Sequence, residues 1–324
     1  MSETALGVVI VSWNVRDLLA RCLSSLFAEL DRSQIAARVV VVDNASHDGS
    51  PDVIRAHFPR VELIACEENL GFAKGNNVGL RQLGLPHPPD ASPDNTTDAA
   101  RRGGEILLLN PDTEIQPGAI AALLNVMRAR PDAAIVTSRL SYGDGSFQHS
   151  AFHFPGLGQL SIDLFPTPGR FYESRFNGRY PRQRYERGRP FEIDTPLGAV
   201  MLLRREAIQR VGLFDEEFAL YCEEIDWAAR FKEAGWKNLC APAAHIVHYE
   251  GRSTSQVRVQ SFVKLWTSRY RLHTKHPQFA PLPLARRIVV SGMKRKSRDA
   301  APDMKAACEK IIDLWNGQRR TNDR

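Results

Sequence analysis

Six carboxylates lie between Asp215 and Asp226 in the stretch FDEEFALYCEEIDWAAR: Asp215, Glu216, Glu217, Glu223, Glu224 and Asp226. Acids this close repel one another unless water or a positive group lies among them. A solvated helix face would meet that need, but Phe214, Phe218, Leu220, Tyr221, Ile225 and Trp227 are interleaved with the acids. Those side chains pull the segment against a core and hold some of the acids in a cleft, where a carboxylate can act as a general base. Asp226 and Arg230 stand at i,i+4 on a helix and are expected to form a structural ion pair. Asp215 is expected to cap a turn.

Other polar groups follow short apolar runs. SWN (Ser12–Asn14) comes after GVVIV, and DNASHDGS begins where VVVVD ends at Asp43. Ser46, Asp48 and Gly49 suit turns and helix caps. Asp43 directly ends an apolar strand, and a carboxylate there can accept the N3–H of uracil or thymine. NLGFAKGNNVGL places Asn69, Gly71, Phe72, Lys74, Asn76 and Asn77 just beyond another strand. Glycine permits close backbone approach, exposed N–H groups can cradle phosphate, and Lys74 adds charge. LLLNPDTE sets Asn110 and Asp112 at a further strand end, a spacing that can hold Mg²⁺ or Mn²⁺ against a diphosphate. The competing reading there is a helix cap before Pro117, a task Thr113 could take.

The elements that would position these groups alternate. Val39–Asp43, Val61–Ala65, Ile106–Leu109 and Ala133–Ser138 read as strands buried on both faces, as in a parallel sheet. Leu19, Leu23, Leu26 and Leu30 follow a helical period, and Pro117 opens a helix running to about Arg130. The pattern predicts an α/β fold, an open and mostly parallel sheet with helices on both faces, with ligands at the carboxyl ends of its strands. Residues 85–104 are rich in Pro, Asp and Thr and read as a flexible surface insertion. Residues 154–190 are aromatic, basic and punctuated by Gly and Pro, which suits a functional loop.

At 324 residues the chain can bury a large core, and 43% hydrophobic with 25% charged residues sets it among soluble globular proteins. No apolar run reaches the roughly 18 residues of a membrane span, and the first residues lack the basic region of a signal peptide. Five cysteines without a CxxC indicate neither a disulfide framework nor a zinc knuckle, so a reducing cytoplasm is expected. The net charge of +6 is unevenly spread: residues 251–298 carry twelve Lys and Arg and no acid, leaving the rest of the chain at −6. Within that segment, residues 281–298 set six basic residues around a short apolar run, a pattern suited to an anionic membrane surface or to a helix packed on the body. Nucleic acid would call for interleaved exposed aromatics and is not expected.

VVIVSWN, VVVVDNASHDGS, ENLGFAKGNN, LLLNPDTE, LGAVMLLRREAIQRVGLFDEEFALYCEEIDWAARFKEAGW and HIVHYEGRS occur in this order from Val8 to Ser253. Together they resemble family 2 glycosyltransferases of the GT-A fold, in particular the bacterial rhamnosyltransferase-like members. The resemblance implies inverting transfer from a nucleotide-diphosphate sugar, dTDP- or UDP-linked, with Mg²⁺ or Mn²⁺, to a glycan or lipid-linked acceptor in cell-surface polysaccharide synthesis. It implies that Asp43 contacts the base and that Asn110-Pro111-Asp112 is the metal-binding DxD element with Asn in first place. YCEEID matches the pattern Y-x-E-D-x-D, whose second acid is the catalytic base, so the base would be Glu224, with Glu223 orienting the acceptor or the helix. His248 matches a metal-coordinating histidine, whereas His245 matches nothing. The implied organisation is a GT-A domain over residues 1–253, with residues 154–190 as an acceptor loop, and a basic helical extension over 254–324, peripheral on the inner face of the plasma membrane. Two other classes stand beside this one. A sugar nucleotidyltransferase would need a Gly-rich amino-terminal loop that is not seen, and a non-catalytic binding module would be expected to have lost Asp112 or Glu224.

Overall fold

The computed structural model describes residues 5–85, 104–218, 220–249 and 258–317. Runs of β-branched and aliphatic residues form the strands. In chain order these are β1 (Leu6–Ser12), β2 (Ala37–Asp43), β3 (Val61–Ala65), β4 (Ile106–Leu109), β5 (Thr113–Ile115), β6 (Ala133–Ser141), β7 (Phe147–Gln148), β8 (Ala151–Phe152), β9 (Phe191–Ile193), β10 (Thr195–Pro196), β11 (Val200–Leu203) and β12 (Lys237–His248). The main sheet has the order β3-β2-β1-β4-β11-β6-β12-β5. Its first four strands are parallel, as expected; β11 then runs antiparallel to both β4 and β6, and β12 runs parallel to β6. The sheet is therefore mixed in its second half. β3 departs from the buried reading, because it is the edge strand and its residues are half-buried or exposed.

Helices cover both faces. One layer joins the helix Arg16–Arg32, through Leu19, Leu23, Leu26 and Leu30, to the helix Ala119–Ala129. The opposite layer holds the helices Phe72–Gln82, Arg205–Val211 and Glu223–Glu233, with Phe214, Trp227 and Phe231 fully or almost fully buried. Pro117 precedes the helix Ala119–Ala129 instead of opening it, since Gly118 in a left-handed conformation is its N-cap. Thr113 caps nothing: it lies in β5 and its hydroxyl donates to the Asn110 carbonyl.

The 154–190 region is not an irregular loop. It contains the helices Leu157–Leu164 and Arg182–Glu186 and two short 3-10 turns. The helix Leu157–Leu164 packs with the helices Arg258–Lys275, Leu282–Ser297 and Pro302–Trp315 around a third core built on Trp266, Val289, Met293, Ile311 and Trp315. The carboxyl-terminal extension is thus helical, and its first helix also packs on the body, where Leu272 joins Phe218 and Cys222. Most of the expected insertion, residues 86–103, and the expected boundary at 253/254 lie outside the described residues.

The glycines of NLGFAKGNNVGL serve packing. Asn69 accepts the Gly71 N–H, the helix starts at Phe72, and the Gly75 N–H is taken by the Gly71 carbonyl. The Gly71 and Gly75 N–H groups are thus used within the fold, and the N–H groups of Phe72, Ala73 and Lys74 form the first turn of the helix. Gly75 and Gly79 instead let this helix lie against β1: a Cβ at Gly75 would come within 2.9 Å of Val11 Cγ1, and one at Gly79 would press into Val9. Gly79→Ala gains at most about 1 kcal/mol of helix propensity, whereas overpacking of a filled core costs roughly 1–3 kcal/mol. The substitution is expected to lower the thermal unfolding midpoint, and a raised midpoint would show that β1 can yield.

Candidate active site

Parallel pairing brings the first group of residues together. Ser12 and Asp43 are register partners at the ends of β1 and β2. Both are buried, and Ser12 Oγ, Asp43 Oδ2 and the neighbouring Asn44 Oδ1 have no hydrogen-bond partner. The other oxygen of Asp43 accepts the Ser46 N–H at 2.9 Å, which fixes the carboxylate so that one oxygen stays unused. Asn14, at φ 51°, braces the same loop: its N–H donates to Ser46 Oγ at 2.9 Å and its side-chain oxygen accepts the His47 N–H at 2.8 Å. Unsatisfied buried polar atoms are costly, and three side by side at strand ends form a cradle suited to a polar planar ligand. Asn44 was not singled out from the sequence, where it reads as an ordinary turn former.

The remaining expected donor-side residues divide. Lys74 is exposed, and Phe72 is half-buried with its ring edge-on to Phe214 at 6.0 Å. Asn76 donates to the Phe72 carbonyl within its own helix. Asn77 is 1% exposed, accepts the Phe214 N–H, and donates to the Phe214 carbonyl and Glu216. Its amide is spent on holding this helix to the acidic segment. The Asn77 amide is thus fully engaged within the fold, whereas Asn76 spends one N–H on its own helix.

Strand register also builds the second group. β5 pairs antiparallel with β12, placing His248 opposite Thr113, and the Tyr249 N–H donates to the Asp112 carbonyl at 2.9 Å. The result sets His248 Nε2 3.3 Å from Asp112 Oδ1. Both residues are buried, and Asp112 Oδ1 has no hydrogen-bond partner despite that proximity. On its other side His248 Nδ1 lies 3.2 Å from Gln148 Oε1. An amide oxygen can only accept, so that bond puts a proton on Nδ1 and turns Nε2 toward the carboxylate. An imidazole Nε2 beside a carboxylate oxygen is a pair of groups that can share a cation, with Gln148 as the outer partner orienting the imidazole. Among the described residues no three His, Cys, Asp or Glu side chains form a closed cage. The donors present thus fit a divalent ion whose remaining positions go to water or phosphate oxygens. Gln148 was missed in the sequence because nothing local marks it. His245, left out of the expected site, bonds Ser141 Oγ at 2.9 Å.

Gly198 and Ala199 join this pair to the acids. The Asn110 N–H donates to the Ala199 carbonyl at 2.9 Å, and Gly198, at φ +90°, faces Glu224, whose Cγ lies 3.4 Å from where a Cβ would stand. Glu223 and Glu224 open the helix Glu223–Glu233, whose N-cap Cys222 is left-handed. Glu223 is 4% exposed with Oε2 unpartnered, while Glu224 is half-buried. Burial, reinforced by the charge of Glu224, pushes the Glu223 carboxyl well above the usual range. Burial likewise raises Glu224, to about 7, against the opposing pull of backbone N–H groups at the helix start. Adjacent carboxyls resist sharing two charges. The deeper Glu223 keeps its proton, and Glu224 is the one that ionises near neutrality.

The other acids have a different task. Asp226 has no solvent exposure and meets Arg230 at 2.9 Å, Lys275 at 2.7 Å and His276 at 2.8 Å. Burial opposes its ionisation, but the His276 hydrogen bond and the charges of Arg230 and Lys275 prevail and hold its carboxyl down to about 2. Asp215 accepts the Glu217 N–H, as a turn cap should, but also pairs with Arg271 at 2.9 Å and Lys275 at 2.7 Å. Glu217 pairs with Arg271, and Glu216 with Arg81. The positive groups that let these acids crowd together thus come largely from the helix Arg258–Lys275, a source the sequence did not disclose. A cavity of about 520 Å³ at the opposite end of the strands, by the amino ends of β1 and β4 and near Glu105, Arg204 and Arg205, is not a rival site. Its two arginines are spent largely on backbone carbonyls of residues 83, 104, 127, 130 and 133.

Comparison with known proteins agrees with this architecture. Residues 4–264 match the model of the glycosyltransferase like family 2. The chain is 31% identical over 259 residues to an N-acetylglucosaminyl-diphospho-decaprenol L-rhamnosyltransferase of Mycobacterium tuberculosis, covering 78% of each chain. It is 39% identical over 246 residues to the rhamnosyltransferase WbbL of Escherichia coli, covering 75% of this chain and 82% of that one. Among solved structures it resembles GalNAc-T7 with UDP, GalNAc and Mn²⁺, at TM-score 0.57 and 15% identity, covering 98% of this chain and 56% of that one. It also resembles the mannosyltransferase PcManGT of Pyrobaculum calidifontis with GDP-Man and Mn²⁺, at TM-score 0.52 and 17% identity, covering 98% of this chain and 83% of that one. The two structural likenesses establish the GT-A type fold, and the family match over most of the chain makes it a member of glycosyltransferase family 2.

Proposed function

We propose that the chain is an inverting, metal-dependent rhamnosyltransferase that uses a pyrimidine nucleotide-diphosphate donor, dTDP- or UDP-linked. Its acceptor is a hydroxyl of a glycan or lipid-linked saccharide in cell-surface polysaccharide synthesis. The observation that carries this reading is the convergence on Gly198–Ala199 of an ionisable Glu224 and the Asn110–Asp112 turn. Rhamnose and the lipid-linked acceptor are supported by the names of the two relatives, and the pyrimidine by the free carboxylate oxygen of Asp43.

In this reading the free oxygen of Asp43 accepts the base N3–H, with Ser12 and Asn44 beside it. Asp112 and His248 hold a divalent cation, and the mixed carboxylate–imidazole set favours Mn²⁺ over Mg²⁺. When bound, that ion offsets charge developing on the leaving nucleotide diphosphate. Glu224 takes the proton of the acceptor hydroxyl as its oxygen attacks the anomeric carbon and the bond to the diphosphate breaks. Glu223, kept neutral by burial, donates a hydrogen bond and orients the acceptor. A non-catalytic donor-binding module is the rival reading, and a donor-hydrolysis assay with and without Mn²⁺ separates the two.

A second element of the proposal is contact with an anionic membrane. Arg271 and Lys275 are turned inward to the acids, so the free basic surface is narrower than the sequence implied. Arg287, Lys294, Arg295 and Lys296 on the helix Leu282–Ser297 are exposed, and Leu284 is 43% exposed. No described helix is long and apolar enough to cross a membrane.

Glu224→Gln should lower turnover about 10²–10⁴-fold and leave nucleotide affinity unchanged in calorimetry. Wild-type transfer should rise as pH climbs through about 7. The sign for stability is the reverse: a carboxyl raised in the folded state contributes stability that is complete below its unfolded value, about 4.3, and fades as pH passes the folded one. The Gln variant should therefore unfold at a higher temperature than wild type at pH 8 and lose that advantage at pH 5. Normal turnover in Glu224→Gln together with a dead Glu223→Gln would transfer the role to Glu223. For the metal, Asp112→Asn should abolish Mn²⁺-dependent donor binding, and full transfer in EDTA would refute the assignment. For the membrane, pelleting with anionic vesicles should weaken from low to high salt as charge is screened, and equal pelleting with neutral vesicles would refute it.

A further inference from the structure

The residues that lead into Glu224 are held in an unfavourable backbone conformation. Tyr221 and Cys222 have φ of 67° and 69°, two successive non-glycine residues in the left-handed region. Each such residue is strained and persists only where its surroundings over-determine it. Cys222 is the N-cap of the helix Glu223–Glu233 and makes no side-chain capping bond, so the turn does not stabilise itself.

What over-determines it is the carboxyl-terminal extension. Ser268 Oγ donates to the Leu220 carbonyl at 2.9 Å, directly before the strained pair. Leu272 is fully buried against Phe218 and Cys222, with Tyr221 and Ile225 packed around them. Arg271 and Lys275 hold Asp215 on the near side of the turn, while Lys275 and His276 hold Asp226 on the far side. The His276 ring stacks on Phe279 with centroids 5.0 Å apart, and Phe279 stacks on Phe154 at 4.5 Å, so the histidine is itself fixed from the 154–190 region. The family match ends at residue 264, so Ser268, Arg271, Leu272, Lys275 and His276 all lie beyond the part of the chain that it covers.

We propose that the helix Arg258–Lys275 together with His276 is the positioning clamp of the catalytic base, holding the left-handed Tyr221–Cys222 turn that aims Glu224. Ser268 and His276 are its two positioning residues, one on each side of the turn. The proposal rests on the reading of Glu224 as the base. The extension is then a working part of the transferase, and its separation from the body would leave the donor site intact with a misaimed base.

The test uses the full chain with Ser268→Ala and His276→Phe, the latter keeping a ring to stack on Phe279 while losing the hydrogen bond to Asp226. Each is expected to lower kcat at least about tenfold, the scale of a small misplacement of a reacting group. Donor KM and nucleotide affinity should stay within about twofold. His276→Gln, whose amide can donate to Asp226, should recover most of the loss. The double variant should fall short of the product of the single effects, because both changes release the same turn. Unchanged kcat would overturn the proposal, as would kcat and donor KM failing together in step with a lowered unfolding temperature. Should wild type show no transfer, the functional reading fails, and hydrogen exchange still tests the clamp. Amides of residues 221–225 should exchange faster in both variants while the sheet keeps its protection, and equal exchange there would overturn it.

Discussion

A carboxylate with no solvent contact cannot stand alone in a protein interior, and Asp226 is such a group. Its three partners come from two places: Arg230 from one turn further along its own helix, and Lys275 and His276 from the carboxyl-terminal extension. Removing one partner of a buried pair typically costs roughly 3–5 kcal/mol, because the remaining charge is left uncompensated. The helix that carries Glu224 therefore has a fixed place only when the extension is docked. The sheet offers this helix an apolar seat through Trp227 and Phe231, but apolar burial is not directional, whereas the ion network fixes the helix about its own axis.

The site shows the opposite treatment of polar groups. Asp226 and Asp215 are paired from several directions, yet Ser12 Oγ, Asp43 Oδ2, Asn44 Oδ1, Asp112 Oδ1 and Glu223 Oε2 are buried without hydrogen-bond partners. Four of these five atoms sit at or just past the carboxyl ends of β1, β2 and β4, and the fifth opens the helix Glu223–Glu233. Each costs stability in the unliganded protein. The order of the sheet places the first four of them on one side, the side proposed to receive the donor. The same separation divides the carboxyls by acidity, with Asp226 held at about 2 by its cations and Glu224 raised to about 7 by burial.

Much of this was legible in the amino-acid sequence because it depends on local pattern. The apolar runs that end in Ser12, Asp43 and Leu109 announce strands, and the polar residues after them mark the ligand side of a parallel sheet. The Asp226–Arg230 pair follows from helical spacing alone. What was not legible depends on contacts between distant segments. The Asn77 amide reads as a ligand group until Phe214 is seen to consume it from 137 residues away. The glycines at 75 and 79 show their packing role only once β1 is placed beneath them. Gln148 and His276 carry no local signature, since each matters only through the residue it touches across the fold. The basic character of residues 251–298 suggested an outward surface, but composition does not say which way an arginine faces.

Gly198 shows how the two kinds of information combine. In the sequence it is one glycine in LGAVMLL, adjacent to nothing acidic. In the fold it stands between the Asn110–Asp112 turn and Glu224, at φ +90° and with its open side toward the Glu224 side chain. A side chain there would have to adopt a backbone conformation that L residues rarely take and would press on the base at the same time. Its neighbour Ala199 receives the Asn110 N–H. One short link between β10 and β11 therefore sets the spacing between Glu224, the proposed base, and the Asn110–Asp112 turn. In the proposed inverting reaction, attack and departure lie on opposite sides of one carbon, so that spacing decides whether both can be served at once.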